Sequence, residues 1–176
     1  GGHPGAAHGR APRREVPEYD SPAGYGKARA LFPQLDQSKT FADFEASVAF
    51  LRAQPGGNGR TGVVGFNYGG AIANRLAAAM PDLACAVPFY GTAPALADVP
   101  NIHAELLLHF ASNDERVNST WPPYEAALKQ AGVEYAAYTY PDTQHGFHND
   151  TTPRYDRAAA ELAWSRTLDF LARHLA

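Results

Sequence analysis

The sequence has few of the features that mark disulfide-stabilised, nucleic-acid-binding or membrane proteins. Its single cysteine, Cys85, lies in an apolar, strand-like run, so neither an internal disulfide nor a cysteine metal cluster can form. A net charge of −3 and a pI near 6.2 leave no basic surface for nucleic acid or an anionic membrane. Apolar runs such as LACAVPFY are far shorter than the roughly 20 residues that span a bilayer. We therefore expect a soluble protein, in the cytoplasm rather than secreted, although the sequence does not fix the compartment.

The first 24 residues differ in composition from the rest. They are polar and rich in Gly and Pro, begin without Met, and show neither the apolar core of a signal peptide nor a strand pattern. We expect residues 1–24 to form an irregular segment. Residues 25–176 are expected to form one domain, since a chain of 176 residues can hold one sizeable core.

Strand and helix signals alternate along the remaining chain. The predicted strands are TGVVGF, LACAVPFYG, AELLLHFAS and VEYAAYTYP. The predicted helices are TFADFEASVAFLRAQ, GGAIANRLAAAMPD, PPYEAALKQAG and RYDRAAAELAWSRTLDFLARHL. Thr40 and Asp43 are spaced as a capping pair in the first helix, and the last helix should pack through Leu162, Thr167, Phe170 and Leu171. This alternation predicts an α/β fold, with a mostly parallel sheet flanked by helices.

Ligands of such sheets bind beyond the carboxyl ends of the strands. The residues at these positions are Asn67, Tyr90, Asp114 and His145. The first stands in GVVGFNYGG, a strand, glycine-rich turn and helix of the kind that forms a nucleophile elbow, in which glycines let strand and helix approach closely. We expect Gly65, Gly69 and Gly70 to serve that purpose. Asp114 would orient an imidazole and His145 would be the base, in the chain order found in α/β-hydrolases.

Several separate motifs resemble the dienelactone hydrolase family, in its carboxymethylenebutenolidase-like members. They are TGVVGFNYGG, PFYG, NDERV and TQHGFHNDTTPRYD, and the similarity runs from about Ala28 to the C-terminus. The resemblance implies hydrolysis of a lactone or small ester, without a metal or organic cofactor. His145 would act as base and then acid, Asp114 would orient it, and the backbone N–H of Tyr68 would stabilise an oxyanion. We expect Tyr90, Phe147 and Arg154 to contact the substrate.

The chain departs from the family pattern in two ways. Asn67 stands where the family places its cysteine nucleophile, and a carboxamide cannot be activated as a thiol is. The family's first strands, and the loop that donates a second oxyanion N–H, have no counterpart before GGHPG, so we expect the fold to lack its first strands. The strand TGVVGF would then lie at a sheet edge, which favours a homodimer or another association through that edge.

Other interpretations of the same residues remain open. The elbow could be a dinucleotide fingerprint, but Asn67 replaces its second glycine and the next strand ends without an acidic residue. A non-catalytic binding protein that keeps the hydrolase cleft is the main alternative. Deamidation of Asn67 would give a carboxylate nucleophile, although the bulky Tyr68 should make it slow. A metal pair of His145 and His148 is disfavoured because their loop lacks a helical scaffold. Arg154 could simply begin the last helix, and the family arginine four residues after the histidine is here Asn149.

Overall fold

The computed structural model describes Gly26 and residues 29–176, so the predicted irregular segment 1–24 lies outside the described residues. The chain divides between Leu51 and Arg52 into two compact units. A 3-10 helix, Phe32–Gln34, and helix α1, Gln37–Arg52, account for most of what is described before this boundary.

The start of α1 differs from the sequence prediction. The carboxylate of Asp36 accepts a hydrogen bond of 2.9 Å from the backbone N–H of Lys39, which caps the first turn. Thr40 lies inside the helix, and Asp43 instead forms an ion pair of 2.7 Å with the ammonium group of Lys39. The predicted pairing of Thr40 and Asp43 was therefore wrong, because the helix begins three residues earlier than Thr40.

The second unit is a four-stranded parallel sheet flanked by helices, as the alternating pattern predicted. Its elements are β1 (Gly62–Phe66), α2 (Tyr68–Ala79), β2 (Cys85–Phe89), β3 (Glu105–Asn113), α3 (Glu115–Asn118), α4 (Trp121–Ala131), β4 (Tyr135–Gln144) and α5 (Arg157–Leu175). The strands are ordered β1-β2-β3-β4 and all neighbours are parallel. Strand β4 runs beyond the predicted end at Pro141, and its register against β3 shifts between Ala111 and Asn113.

The core lies on the sheet, with β2 buried along its whole length. Helix α5 covers it with small side chains and two larger ones, Thr167 and Phe170, both of which are buried as predicted. Leu162 was predicted to pack here, but its side chain is 48% exposed. The packing face of α5 is instead continued by Ala159 and Ala163, because close contact with the sheet leaves room only for small residues there.

A fully buried histidine lies in the centre of this core. Nδ1 of His109 is 3.0 Å from the hydroxyl of Tyr140, and Nε2 is 3.1 Å from the hydroxyl of Thr167. Thr167 donates its own proton to the carbonyl of Ala163, and Tyr140 accepts a hydrogen bond from Arg166. With these directions, Nε2 of His109 donates to Thr167 and Nδ1 accepts from Tyr140, as in a neutral imidazole that carries its proton on Nε2. Burial, followed by the charges of Arg166 and His148, lowers the pKa of His109 to about 3.

Candidate active site

Asn67 forms the tip of a sharp turn between β1 and α2. Its backbone has φ 54° and ψ −118°, a conformation that non-glycine residues rarely adopt. The N–H of Asn67 donates to the carbonyl of Phe89 on the neighbouring strand, and its carbonyl accepts from Gly70 and Ala71 in the first turn of α2. The side chain of Asn67 is exposed. A strained, exposed residue between strand and helix is the geometry of a nucleophile elbow.

Close backbone packing explains why the elbow is surrounded by glycines. A Cβ atom at Gly65 would lie 1.9 Å from the carbonyl oxygen of Gly69, and one at Gly70 would lie 2.5 Å from that of Phe89. At Gly91 a Cβ would lie 2.2 Å from the backbone of Gly70, a requirement that the sequence analysis missed. Gly69 was predicted to have the same role, but a Cβ there meets nothing within 4 Å, so a larger residue would fit at this position.

Asp114 and His145 meet at the carboxyl ends of β3 and β4, as predicted. Nδ1 of His145 lies 2.5 Å from Oδ2 of Asp114. The other carboxylate oxygen of Asp114 accepts from the backbone N–H of Val117, so the acid also caps α3. Asp114 is buried, whereas the side chain of His145 is 27% exposed. The carboxylate therefore fixes one imidazole nitrogen and leaves Nε2 as the nitrogen that can act on a ligand.

Tyr90, at the end of β2, is a buried support for this pair. Its backbone has φ 38°, and its ring centroid lies 5.0 Å from that of His145 and 5.5 Å from that of Phe147. Burial raises the pKa of Tyr90 to about 12, with opposing effects from the backbone of His148 and the charge of Arg154. Tyr90 is only 1% exposed, and its ring packs against the imidazole of His145.

The other two predicted substrate contacts occupy different environments. Phe147 is completely buried in the core, where it also contacts the ring of Tyr140. It presents no surface to a ligand in this structure. Arg154 is exposed, and its guanidinium lies over the backbone of Gly146, next to His145. Of the three predicted contacts, Arg154 is the one that is exposed.

His148 packs against aromatic side chains. Its ring contacts those of Phe66 and Trp164, at centroid distances of 5.2 and 5.6 Å. Burial lowers the pKa of His148. Over the described part of the chain, no group of three or more His, Cys, Asp or Glu side chains is placed so that it could hold a metal ion.

Tyr68 is the first residue of α2 and follows Asn67 directly. Its backbone amide belongs to the amino end of a 12-residue helix, where the helix dipole favours negative charge.

The helices of the described residues include none that is both long and apolar enough to cross a membrane.

A parallel sheet, an elbow after one strand and a His–Asp pair after two others together define the α/β-hydrolase class. Residues 13–175 match the model of the Dienelactone hydrolase family, and the chain belongs to that family.

Curated relatives agree with this assignment, and a solved structure shares the fold. The chain is 30% identical over 166 residues to Carboxymethylenebutenolidase 1 of Cupriavidus pinatubonensis, covering 93% of this chain and 69% of that protein. It is 32% identical over 150 residues to a Carboxymethylenebutenolidase of Pseudomonas putida, covering 83% of this chain and 62% of the relative. A putative dienelactone hydrolase from Klebsiella pneumoniae has the same fold, with a TM-score of 0.74 and 24% identity over 88% of this chain and 68% of that one. The chain thus spans about two thirds of the length of these relatives.

Proposed function

We propose that this site is a hydrolase site of the dienelactone hydrolase type, for a lactone or small ester, in which Asn67 prevents efficient turnover. The observation that carries the proposal is the 2.5 Å contact between His145 and Asp114 beside the strained elbow that bears Asn67. The curated relatives named carboxymethylenebutenolidase support the substrate class.

The residues would divide the chemistry as in other nucleophile–His–acid sites. Nε2 of His145 would accept the nucleophile's proton and later return it to the leaving group, while Asp114 stabilises the imidazolium. The N–H of Tyr68 and the amino end of α2 would stabilise the oxyanion. Arg154, exposed beside His145, would contact an anionic part of the substrate. With Asn67 in the nucleophile position, the covalent step has no thiol to start it, since a carboxamide is a poor nucleophile.

The second candidate function is binding without catalysis. Asn67 is the observation that favours it, since the elbow, the acid and the histidine all remain while the nucleophile does not. Such a protein would hold a small ester or lactone at the same end of the sheet and release it unchanged.

Two assays, hydrolysis of p-nitrophenyl acetate and thiol labelling, test whether the active site lies at Asn67 and His145 or elsewhere in the protein. The unaltered chain should hydrolyse the ester barely above background. In Asn67→Cys, the new thiol should react with iodoacetamide at pH 6 much faster than the thiol of Asn58→Cys, an exposed position outside the site, because His145 lowers the thiol pKa. Adding His145→Ala should remove that advantage. Robust esterase activity in a chain that keeps Asn67 and carries His145→Ala would show that the chemistry lies elsewhere.

We also propose that the chain associates through β1. Among the described residues β1 pairs with β2 alone, and an open strand edge favours pairing with another chain. Light scattering should then detect a homodimer. A monomer at high concentration, with the amides of residues 62–66 protected from hydrogen exchange, would contradict this proposal.

A further inference from the structure

The chain keeps the base of a hydrolase site without a thiol for that base to act on. Nδ1 of His145 lies 2.5 Å from Oδ2 of Asp114, so the carboxylate orients the imidazole and leaves Nε2 available. The only cysteine of the chain, Cys85, does not replace the missing thiol. It is completely buried and begins β2, whereas Tyr90, whose ring contacts the imidazole, follows the last residue of that strand. The imidazole is thus an oriented base whose proton donor is not a cysteine.

Asn67 lies at the same end of the sheet as this base. Its backbone N–H donates to the carbonyl of Phe89 at 3.2 Å. Tyr90 follows Phe89 directly, and its ring centroid is 5.0 Å from that of His145. The elbow and the imidazole are therefore both held by two consecutive residues at the end of β2. The side chain of Asn67 is exposed at the tip of the turn, so its carboxamide is open to solvent.

A neutral imidazole and a carboxamide together can hold a water molecule. Nε2 of His145 can accept one proton of the water, and the carboxamide oxygen of Asn67 can accept a hydrogen bond from the other. With both protons directed toward the protein, a lone pair of the water oxygen faces the substrate. General base catalysis by a positioned imidazole accelerates such a reaction about 10²- to 10⁴-fold. The groups that remain at the site can therefore support direct attack by water.

We propose that the site hydrolyses small activated esters slowly and without an acyl-enzyme, with Asn67 holding the attacking water and His145 deprotonating it. This inference rests on the proposed function, because it uses the same base and acid. The water oxygen bonds to the carbonyl carbon while its proton passes to Nε2, and the backbone N–H of Tyr68 donates to the oxyanion. When the oxyanion collapses, the bond to the leaving oxygen breaks and the imidazolium returns its proton to that oxygen. The products are a carboxylic acid and an alcohol, and no group is transferred to the protein.

The rate test uses protein in excess over p-nitrophenyl acetate, so that a slow reaction can be followed to completion. After subtraction of the rate in buffer, the unaltered chain should release p-nitrophenolate at least about tenfold faster than His145→Ala. Asn67→Ala should be about fivefold slower than the unaltered chain, since one hydrogen bond to the attacking water is lost. The side chain of Asn67 is exposed, so this variant removes no core packing.

The control for the rate test is His103→Ala, at an exposed histidine before the start of β3. It should match the unaltered chain, because His103 precedes the strand whose far end leads to Asp114. A rate in the unaltered chain equal to that of His145→Ala or of Asn67→Ala would overturn the proposal.

Mass spectrometry of the acid-quenched reaction tests for a covalent intermediate. The unaltered chain should carry no acetyl group on Asn67, Tyr68 or His145 during turnover. Asn67→Cys is the positive control, because its thiol should take up the acetyl group and reveal it in the same measurement. An acetyl group on one of these residues of the unaltered chain, formed as fast as p-nitrophenolate is released, would contradict direct attack by water.

The outcomes separate this inference from the proposed function. Thiol labelling of Asn67→Cys, and its loss when His145→Ala is added, tests the site itself and does not involve attack by water. If labelling succeeds while the unaltered chain shows no hydrolysis that depends on His145, the hydrolase site stands and the water mechanism is wrong. If labelling fails as well, both are wrong.

Discussion

Replacing the buried histidine by glutamine, His109→Gln, should change how the stability of the protein depends on pH. In the folded protein the pKa of His109 is lowered to about 3, whereas in the unfolded chain it returns to its ordinary value of 6.5. Below pH 6.5 the unfolded chain therefore binds a proton that the folded protein refuses. The free energy of unfolding must fall as the pH drops through this window, until the folded-state histidine also titrates.

The magnitude follows from the size of the window. One proton taken up only on unfolding lowers stability by about 1.4 kcal/mol per pH unit. Between pH 6.5 and 4.5 the wild type should therefore lose about 2 kcal/mol that His109→Gln does not lose, because at pH 6.5 only half of the unfolded chains carry the extra proton. Glutamine suits the comparison because it has a donor and an acceptor for Thr167 and Tyr140 but does not titrate. The charged groups around the site, Arg166 and His148, are the same in both proteins.

Urea unfolding, followed by circular dichroism from pH 8 to 4.5, measures this difference. At pH 8 the variant should be as stable as the wild type or less stable. As the pH falls, the difference between their free energies of unfolding should close or change sign. His103→Gln, at an exposed histidine, is the control and should follow the wild type at every pH. Parallel curves for wild type and His109→Gln would refute the argument, because they would show that His109 is not held neutral by its burial.

The remaining predictions concern the elbow and the buried contacts behind it. Gly65→Ala should destabilise the fold by about 3 kcal/mol or more in urea unfolding, because its Cβ would lie 1.9 Å from the carbonyl oxygen of Gly69. The control is Gly69→Ala, which should cost under about 1 kcal/mol because a Cβ there meets open space. Equal losses in the two variants would contradict the close backbone packing at Gly65. Asn74→Ala should cost about 2 kcal/mol, since the buried amide donates to the carbonyl of Thr92 and accepts from Tyr124, and a stability equal to wild type would argue against that network. Asp114→Asn should broaden or shift the imidazole signals of His145 in NMR, and unchanged imidazole signals would contradict the contact between them.

Local sequence features determined the class of the fold. Apolar runs with turn signals between them predicted all four strands, and the structure confirms the parallel sheet. The residues that follow those strands were also predictable, because parallel strands present their carboxyl ends at one edge. Asp114 and His145 are 31 residues apart in sequence, and this rule was sufficient to expect them in contact.

Tertiary packing decided which side of each element is buried, and local patterns do not specify it. Leu162 on α5 and Phe147 after β4 have similar apolar character, yet one is 48% exposed and the other completely buried. The elbow shows the same limit for glycine: Gly65 and Gly69 look alike in the sequence, but only Gly65 faces a backbone too close for a Cβ.

The sequence by itself thus determined the order of the elements, the family and the substitution of Asn67 at the elbow, because these depend on short motifs and on chain order. The structure alone revealed the buried network of His109, Tyr140 and Thr167, whose members are separated by up to 58 residues. It likewise brought the imidazole of His174, at the end of α5, to 3.4 Å from the carboxylate of Glu105, at the start of β3. Such sites arise only when distant segments pack, so no pattern within a single segment encodes them.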